Sequence, residues 1–272
     1  MTLLPRVFAA VSLSLVLLTA RAAQADEIAP ELETLALRQQ TQAETNKLVS
    51  GLAAKDRRRL TGLYVAFDPN PNDPSAMVAC DDDGDYVIVV TDAMLRLISF
   101  IARAESDDEL DGSHNVEDYA AFLSQSQVPG RRLLPPPPGF FTAQRSATMQ
   151  DTRLREMLAF LVARELSHLR AGDLVCPHPT ATHESGDDEW TGSEQRRAIV
   201  TAASVYPGPA AARDIEATNR VLDSGRSEVG ALGLLRFFAH ANRFLPTYLV
   251  QHSSTVARIA AVKQAVAGRH SD

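Results

Sequence analysis

The sequence has few of the residues that mark common kinds of functional site. Only two of its 272 residues are cysteines, Cys80 and Cys176, which is too few for a structural zinc site. It contains no G-x-S-x-G segment and no glycine-rich phosphate loop, so neither a serine hydrolase nor a P-loop protein is indicated. In an oxidising compartment an even, isolated cysteine pair favours one disulfide, with two buried free thiols as the alternative.

Long apolar runs are absent after residue 20. The run at 7–20 follows Arg6 and precedes an A-x-A site at 23–25, a pattern typical of a secretory signal peptide. The run is shorter than the ~20 apolar residues that a membrane-spanning helix needs. We therefore predict a signal peptide over residues 1–25 and an exported protein, periplasmic or secreted, with no membrane span after cleavage.

Positive charge is also scarce. Without the leader and its two arginines, 25 Lys and Arg residues stand against 34 Asp and Glu residues, a net charge of −9. This balance argues against nucleic acid and against an anionic membrane surface as partners.

The pattern of apolar and polar residues predicts an α+β fold that is mostly helical, with three or four strands. Residues 26–62 form an N-terminal segment that is helical over 31–62. Two apolar runs are typical of strands, residues 63–67 and residues 86–90, and the second is apolar enough to be buried on both faces. The acidic stretch at 81–85 does not have the EF-hand spacing, so a hairpin turn is favoured over a calcium loop.

Further helices are predicted over residues 91–104, 152–170, 210–223, 226–244 and 253–267. Residues 105–151 lie between the first two of these helices and contain an acidic run followed by four consecutive prolines at 135–138. Four prolines cannot be helical and favour an extended conformation. We interpret this stretch as a long insertion between helices, either a flexible surface loop or a flap beside the substrate.

The chemically distinctive segment is L-V-A-R-E-L-S-H-L at 161–169. Residues four apart in a helix share a face, so two histidines at that spacing can bind one zinc ion while the glutamate after the first polarises the metal-bound water. Here the first position holds Arg164, followed by Glu165 and His168. Taken alone, this segment favours an ordinary amphipathic helix with a Glu–His pair.

Five segments together resemble the gluzincin family of zinc metallopeptidases that contains the bacterial heat-shock membrane protease and the CAAX prenyl protease. The matches, in the family's order, are 73–79 with an N-A-F-A segment, 87–95 with the edge strand and the helix start after it, 160–170 with the H-E-x-x-H helix, 214–218 with E-x-x-A-D, and 250–259 with a C-terminal s-H-P-s-x-x-x-R-i. The resemblance covers roughly residues 60–265. It implies a zincin-like domain over 63–272, with an insertion at 105–151 and a small sheet beside the motif helix.

The resemblance also implies roles for individual residues. Glu165 stands at the general-base position and His168 at one zinc-ligand position. The first ligand position holds Arg164, a permanent cation that cannot coordinate zinc and would repel it. The third ligand becomes Asp214, still a capable oxygen ligand, and the aspartate that supports the histidine ligand becomes Thr218.

Several alternatives to a normal zinc site follow from these departures. His168 and Asp214 are two ligands where catalytic zinc needs three and an open position. Glu216 is another acid, but two residues from Asp214 it lies on another helix face. A loop histidine, His178 or His183, could supply the missing imidazole. We favour a salt bridge from Arg164 to Glu165, Asp214 or Glu216, with the guanidinium in the space of the metal.

Residues outside the motif helix also enter through the resemblance. It places His252 and Arg258 near the cleft, where His252 could assist transition-state binding. The alternative is a helix cap and a surface charge. A disulfide between Cys80 and Cys176 would pin the motif helix to the sheet.

We therefore expect a catalytically impaired or inactive relative, with zinc absent or weakly bound, that binds a peptide or partner protein in the former cleft. The alternatives are an active zinc metalloendopeptidase with a non-standard ligand set and an unrelated exported helical protein.

Overall fold

The computed structural model describes residues 30–141, 146–176, 210–241 and 255–269. Two compact units divide the chain between Ala36 and Leu37. The described part of the first unit is residues 30–36, and the second unit, Leu37–Asp272, contains the elements discussed below. The predicted signal peptide, its cleavage site, and His178, His183 and His252 lie outside the described residues.

The described residues form helices and a three-stranded sheet, which confirms the predicted mostly helical α+β class. The helices are α1 Pro30–Ser50, α2 Ala54–Arg59, α3 Asp92–Asp111, α4 Asn115–Ser126, α5 Ala147–Ala171, α6 Ala210–Asp223, α7 Val229–His240 and α8 Thr255–Arg269. The strands are β1 Tyr64–Asp68, β2 Ala76–Cys80 and β3 Tyr86–Thr91. None of the described helices is both long and apolar enough to cross a membrane.

The β3 strand is the centre of the sheet. It pairs in parallel with β1 and antiparallel with β2, and Ile88 lies opposite Val65 on one side and Val78 on the other. All six β3 residues are buried, as the continuous apolar run predicts. The edge-strand position that the resemblance implies for this segment is therefore wrong. The amide of Asp81 donates to the carbonyl of Asp85, which confirms the acidic hairpin turn.

The motif helix α5 runs through the middle of the core. It packs against α3, α6 and α7 and against β2. Its N-terminus is capped by the hydroxyl of Ser146, which accepts from the amide of Met149, and its C-terminus ends at Gly172, whose φ is 79°. Every residue from 156 to 169 is buried, so the charged residues of the motif are held inside the protein.

The α7 helix approaches α5 and α3 closely because two of its residues lack a side chain. A Cβ atom built on Gly230 would lie 2.4 Å from the Cβ of Glu156. One built on Gly233 would lie 2.8 Å from a carboxylate oxygen of Glu105. The contact at Gly230 is with a Cβ and backbone atoms of α5, so this glycine sets the spacing of α7 and α5, whereas at Gly233 the end of the Glu105 side chain would have to shift.

Two of the predicted boundaries are wrong. The N-terminal helix predicted over 31–62 is interrupted near Gly51 and becomes α1 and α2. The loop predicted over 105–151 is helical along much of its length, because α3 continues to Asp111 and α4 follows. Its acidic residues are neutralised or used as caps: Glu105 is buried in an ion pair with Arg236, and the carboxylate of Asp108 accepts from the first amides of α4. The interpretation of this segment as an insertion stays a prediction.

A disulfide joins Cys80 to Cys176, with 5.4 Å between their Cα atoms. Cys80 ends β2 and Cys176 lies five residues beyond the last residue of α5. The predicted pairing is confirmed, and it fastens the segment that follows the motif helix to the sheet.

Candidate functional site

Arg164 lies at the centre of the candidate site. Its Nη1 atom donates to Oε1 of Glu165 at 3.1 Å, and its Nε atom lies 3.3 Å from Oδ1 of Asp214. The three residues are 8%, 1% and 0% exposed, so the charges meet away from bulk water. Salt bridges join Arg164 to Glu165 and to Asp214, so the two residues to which the resemblance gives the general-base and metal-ligand roles lie around one guanidinium.

Asp214 is bound by a second guanidinium from α8. Nε of Arg258 donates to Oδ2 at 2.5 Å, and Nη2 donates to Oδ1 at 3.0 Å. This two-point geometry matches the planar fork of arginine to the two carboxylate oxygens. Arg258 is 2% exposed, so it is part of the site and not a surface charge. Asp214 thus links α5, α6 and α8 through two arginines.

His168 lies one helical turn after Arg164 and has a carboxylate partner of its own. Nδ1 of His168 lies 2.8 Å from Oδ2 of Asp173, and Arg213 donates to both oxygens of the same carboxylate. The helix end positions Asp173: its amide donates to the carbonyl of His168, and the amide of Gly172 donates to the carbonyl of Leu169. This pair of bonds is the Schellman arrangement, which brings the second residue after the helix beside its last turn.

Burial moves the pKa values of Glu165 and His168 in opposite directions and favours the neutral form of each side chain. Burial raises the pKa of Glu165 to about 7, opposed by the cation of Arg164 and reinforced by Asp214. Burial lowers the pKa of His168 to about 4, and Arg164 adds to the effect while Asp173 opposes it. At neutral pH His168 is therefore a neutral imidazole whose Nδ1–H donates to Asp173, which leaves the lone pair on Nε2.

The remaining predicted residues have structural partners elsewhere. The hydroxyl of Thr218 donates to the carbonyl of Asp214 within α6, whereas the carboxylate beside His168 is that of Asp173. Glu216 pairs with Arg170 and Arg220, on a different face of α6 from Asp214, as predicted.

The described side chains around Arg164 do not fit a zinc ion. Among the described residues, no three His, Cys, Asp or Glu side chains converge as a group that could hold a metal. Both oxygens of Asp214 are engaged by guanidinium groups, and Arg164 lies between Asp214 and Glu165. A dication in this place would have to displace a fixed cation.

Sequence reasoning missed Asp173 and Arg213. The signal for Asp173 is the Gly172 that ends α5, because a glycine in this position predicts the helix end that returns the next residue to the last turn. Arg213 gives no comparable signal, since its contact with Asp173 depends on how α6 packs against α5.

No family model, curated protein or solved structure matches this chain. The resemblance to the gluzincin metallopeptidases therefore rests on the five segments and stays a prediction.

Proposed function

We propose that this protein is an exported, non-hydrolytic relative of the zinc metallopeptidases that binds a peptide or partner protein. The observation that carries the proposal is the guanidinium of Arg164 between Glu165 and Asp214. In a hydrolytic site these two acids would serve a metal ion and its water. Here a cation of the chain itself satisfies them.

A guanidinium cannot replace the chemistry of zinc. Metal-assisted peptide hydrolysis needs a Lewis acid with an open position and a base that polarises the bound water. Arg164 has no empty orbital for a water or carbonyl oxygen and is always protonated. Glu165 accepts a hydrogen bond from this cation, so its carboxylate stabilises Arg164 instead of activating a nucleophile.

The charge network also resists metal binding. Removing one partner of a buried ion pair typically costs about 3–5 kcal/mol, because the other charge is left uncompensated. Zinc could reach Asp214 only if Arg164 or Arg258 withdrew from it, and both arginines are buried. Binding of zinc would therefore have to overcome the loss of at least one such pair.

Export is supported by two independent features of the chain. A disulfide joins the only two cysteines, and disulfides of this kind persist in oxidising compartments. The pattern of residues 1–25 is that of a secretory leader.

Metal content and peptide turnover test the proposal together. The disulfide-bonded chain is purified without chelators, its zinc is measured by mass spectrometry, and it is incubated with fluorescently labelled unfolded casein. We expect substoichiometric zinc, a saturable rise in casein anisotropy and no new fragments. Cleavage of casein would contradict the non-hydrolytic assignment, and the absence of both binding and cleavage would contradict the peptide-binding role.

An active zinc metalloendopeptidase is the second candidate, and the state of His168 favours it. Proteins commonly orient a metal-ligating histidine by pairing its other ring nitrogen with a carboxylate, as Asp173 does here. This candidate requires a third ligand such as His178 or His183. One zinc per chain that is lost in His168→Ala and in the His178→Ala/His183→Ala double variant would establish it.

A further inference from the structure

The loop between α4 and α5 exposes side chains at a spacing of three residues. Its sequence from 131 to 138 is R-R-L-L-P-P-P-P. Arg131, Arg132, Pro135 and Pro138 are exposed, whereas Leu133 is buried and residues 134, 136 and 137 are half-buried. A polyproline II helix has three residues per turn, so positions 132, 135 and 138 lie on one face, about 9 Å apart along the axis.

The sequence leaves this segment little other choice of conformation. Each residue from 134 to 137 precedes a proline, which disfavours the α-helical region for it, and each proline ring fixes φ near −65°. The segment ends in a turn in which the amide of Phe140 donates to the carbonyl of Pro137, with Gly139 at φ 76°. Proline followed by glycine at the two central positions is typical of a type II turn, whose first central residue is itself extended.

Contacts with the core hold the segment in place on its inner side. The side chain of Gln127 donates to the carbonyl of Arg131 and accepts from the amide of Leu134, both at 2.9 Å. The hydroxyl of Tyr119 donates to the carbonyl of Leu134 at 2.7 Å, and the amide of Leu133 donates to the carbonyl of Pro71. The exposed face is therefore ordered before any partner arrives, which reduces the entropy lost on binding.

We propose that residues 132–138 are a docking site for a domain that binds polyproline II helices in an aromatic-lined groove with a carboxylate at one end. Two prolines separated by two residues, here Pro135 and Pro138, are the pattern that such grooves recognise. Arg132 precedes the first proline by one turn and is exposed, so its guanidinium can pair with the carboxylate and fix the direction of docking. This site shares no residue with the Arg164 cluster and does not depend on whether the chain binds zinc or casein.

The test uses the full disulfide-bonded chain, immobilised through its C-terminus, and a purified SH3 domain that selects R-x-x-P-x-x-P ligands as the probe. Binding is followed by biolayer interferometry at increasing domain concentration. We expect saturable binding that weakens about tenfold or more in Arg132→Glu, since loss of an anchoring arginine commonly costs more than about 1.4 kcal/mol. Arg131→Glu makes the same charge change one residue away, on a different face, and is expected to bind within about twofold of the parent chain.

A second pair of variants tests the face without changing charge. Pro135→Ala/Pro138→Ala removes two prolines from the exposed face, and Pro136→Ala/Pro137→Ala removes two from the half-buried side. The first double variant is expected to lose binding and the second to keep most of it. Absence of saturable binding by the parent chain, or equal losses in the variants and their controls, would overturn the proposal.

Discussion

Nδ1 of His168 lies 2.8 Å from Oδ2 of Asp173, and this contact is a direct product of how α5 ends. Gly172 adopts the left-handed conformation, so the chain reverses and the amide of Asp173 bonds to the carbonyl of His168. The same residue thus satisfies a backbone acceptor and an imidazole donor of His168. The residues that end the helix therefore also position the carboxylate of the polar site.

Asp173→Asn is expected to destabilise the protein by about 1–3 kcal/mol, because Arg213 loses a half-buried charged acceptor that it binds at two points. It should also lower the pKa of His168 further, because in the parent protein the Asp173 carboxylate opposes the effect of burial. Urea unfolding and NMR titration measure the two effects. Asp223→Asn, at the exposed ion pair with Arg269, is the control and should change stability little. Equal losses of stability in the two variants would contradict a special role of Asp173.

Arg164→His should raise the affinity for zinc, because it restores an imidazole four residues before His168 and removes the cation. The expected result is a higher midpoint of thermal unfolding on addition of zinc, as for any ligand that binds only the folded state. Arg164→Met removes the cation without adding a donor and should show no such rise. If zinc stabilises neither variant, the two histidine positions and Asp214 are not arranged for metal binding.

Arg258→Met should destabilise the fold by about 3–5 kcal/mol, because Asp214 is completely buried and would lose its two-point partner. Lys263→Met removes a cation from the exposed side of the same helix and is expected to have an effect within about 0.5 kcal/mol. The midpoint of urea denaturation compares the two variants. A small effect of Arg258→Met would mean that Arg164 alone can neutralise Asp214.

Glu165 and His168 should give the stability opposite dependences on pH. The pKa of Glu165 rises on folding from 4.5 to about 7, so the native state holds an extra proton between these values and the free energy of unfolding falls as pH rises through them. The pKa of His168 falls from 6.5 to about 4, so stability is lost as pH falls through that window. The two trends offset each other where they overlap, from pH 4.5 to 6.5.

Single variants separate these trends. Glu165→Gln should leave a protein that loses stability towards acid, and His168→Gln one that gains stability as pH falls from about 7 to 4.5. Urea unfolding between pH 4.5 and 8 measures both. Parallel pH profiles for the two variants would show that neither residue titrates as described.

Gly230→Ala is expected to destabilise the protein by about 1–3 kcal/mol, because the new methyl group would force α7 away from α5. Gly268→Ala is the matched control, since its Cβ would meet nothing within 4 Å in an exposed part of α8. There alanine should stabilise by about 0.5–1 kcal/mol through helix propensity. A destabilising effect in both variants would indicate that the tight spacing of α7 is not the cause.

The sequence predicts those parts of the fold whose cause is local. The apolar run of β3 and the acidic turn after Asp81 each depend on neighbouring residues, and both are found. The acidic run that begins at Glu105 is predicted as loop but lies in α3, because a distant partner neutralises its buried charge. The acidic composition after Ala104 is typical of a loop. Its burial in a helix depends on Arg236, far along the chain, which pairs with Glu105.

The same distinction between local causes and distant partners holds for the candidate site. The helix period places Arg164 and His168 on one face of a helix, but it leaves Glu165, Asp214 and Glu216 open as partners of Arg164. Which acid on α6 would join them, and that Arg258 would be buried beside it, depends on helix packing that no local signal encodes. The carboxylate partner of His168 is Asp173, which lies beyond the end of the helix, and not a residue at the α6 position that Thr218 occupies.

The disulfide has a practical consequence for any protease that cuts this chain. Cys80 and Cys176 lie 96 positions apart in the sequence, and the stretch between them includes β3, α3, α4 and the whole motif helix. A cut in the proline-rich loop would break the backbone inside that ring, yet both fragments would stay covalently attached. Such nicked molecules would migrate as one species on a denaturing gel until a reducing agent released the two pieces.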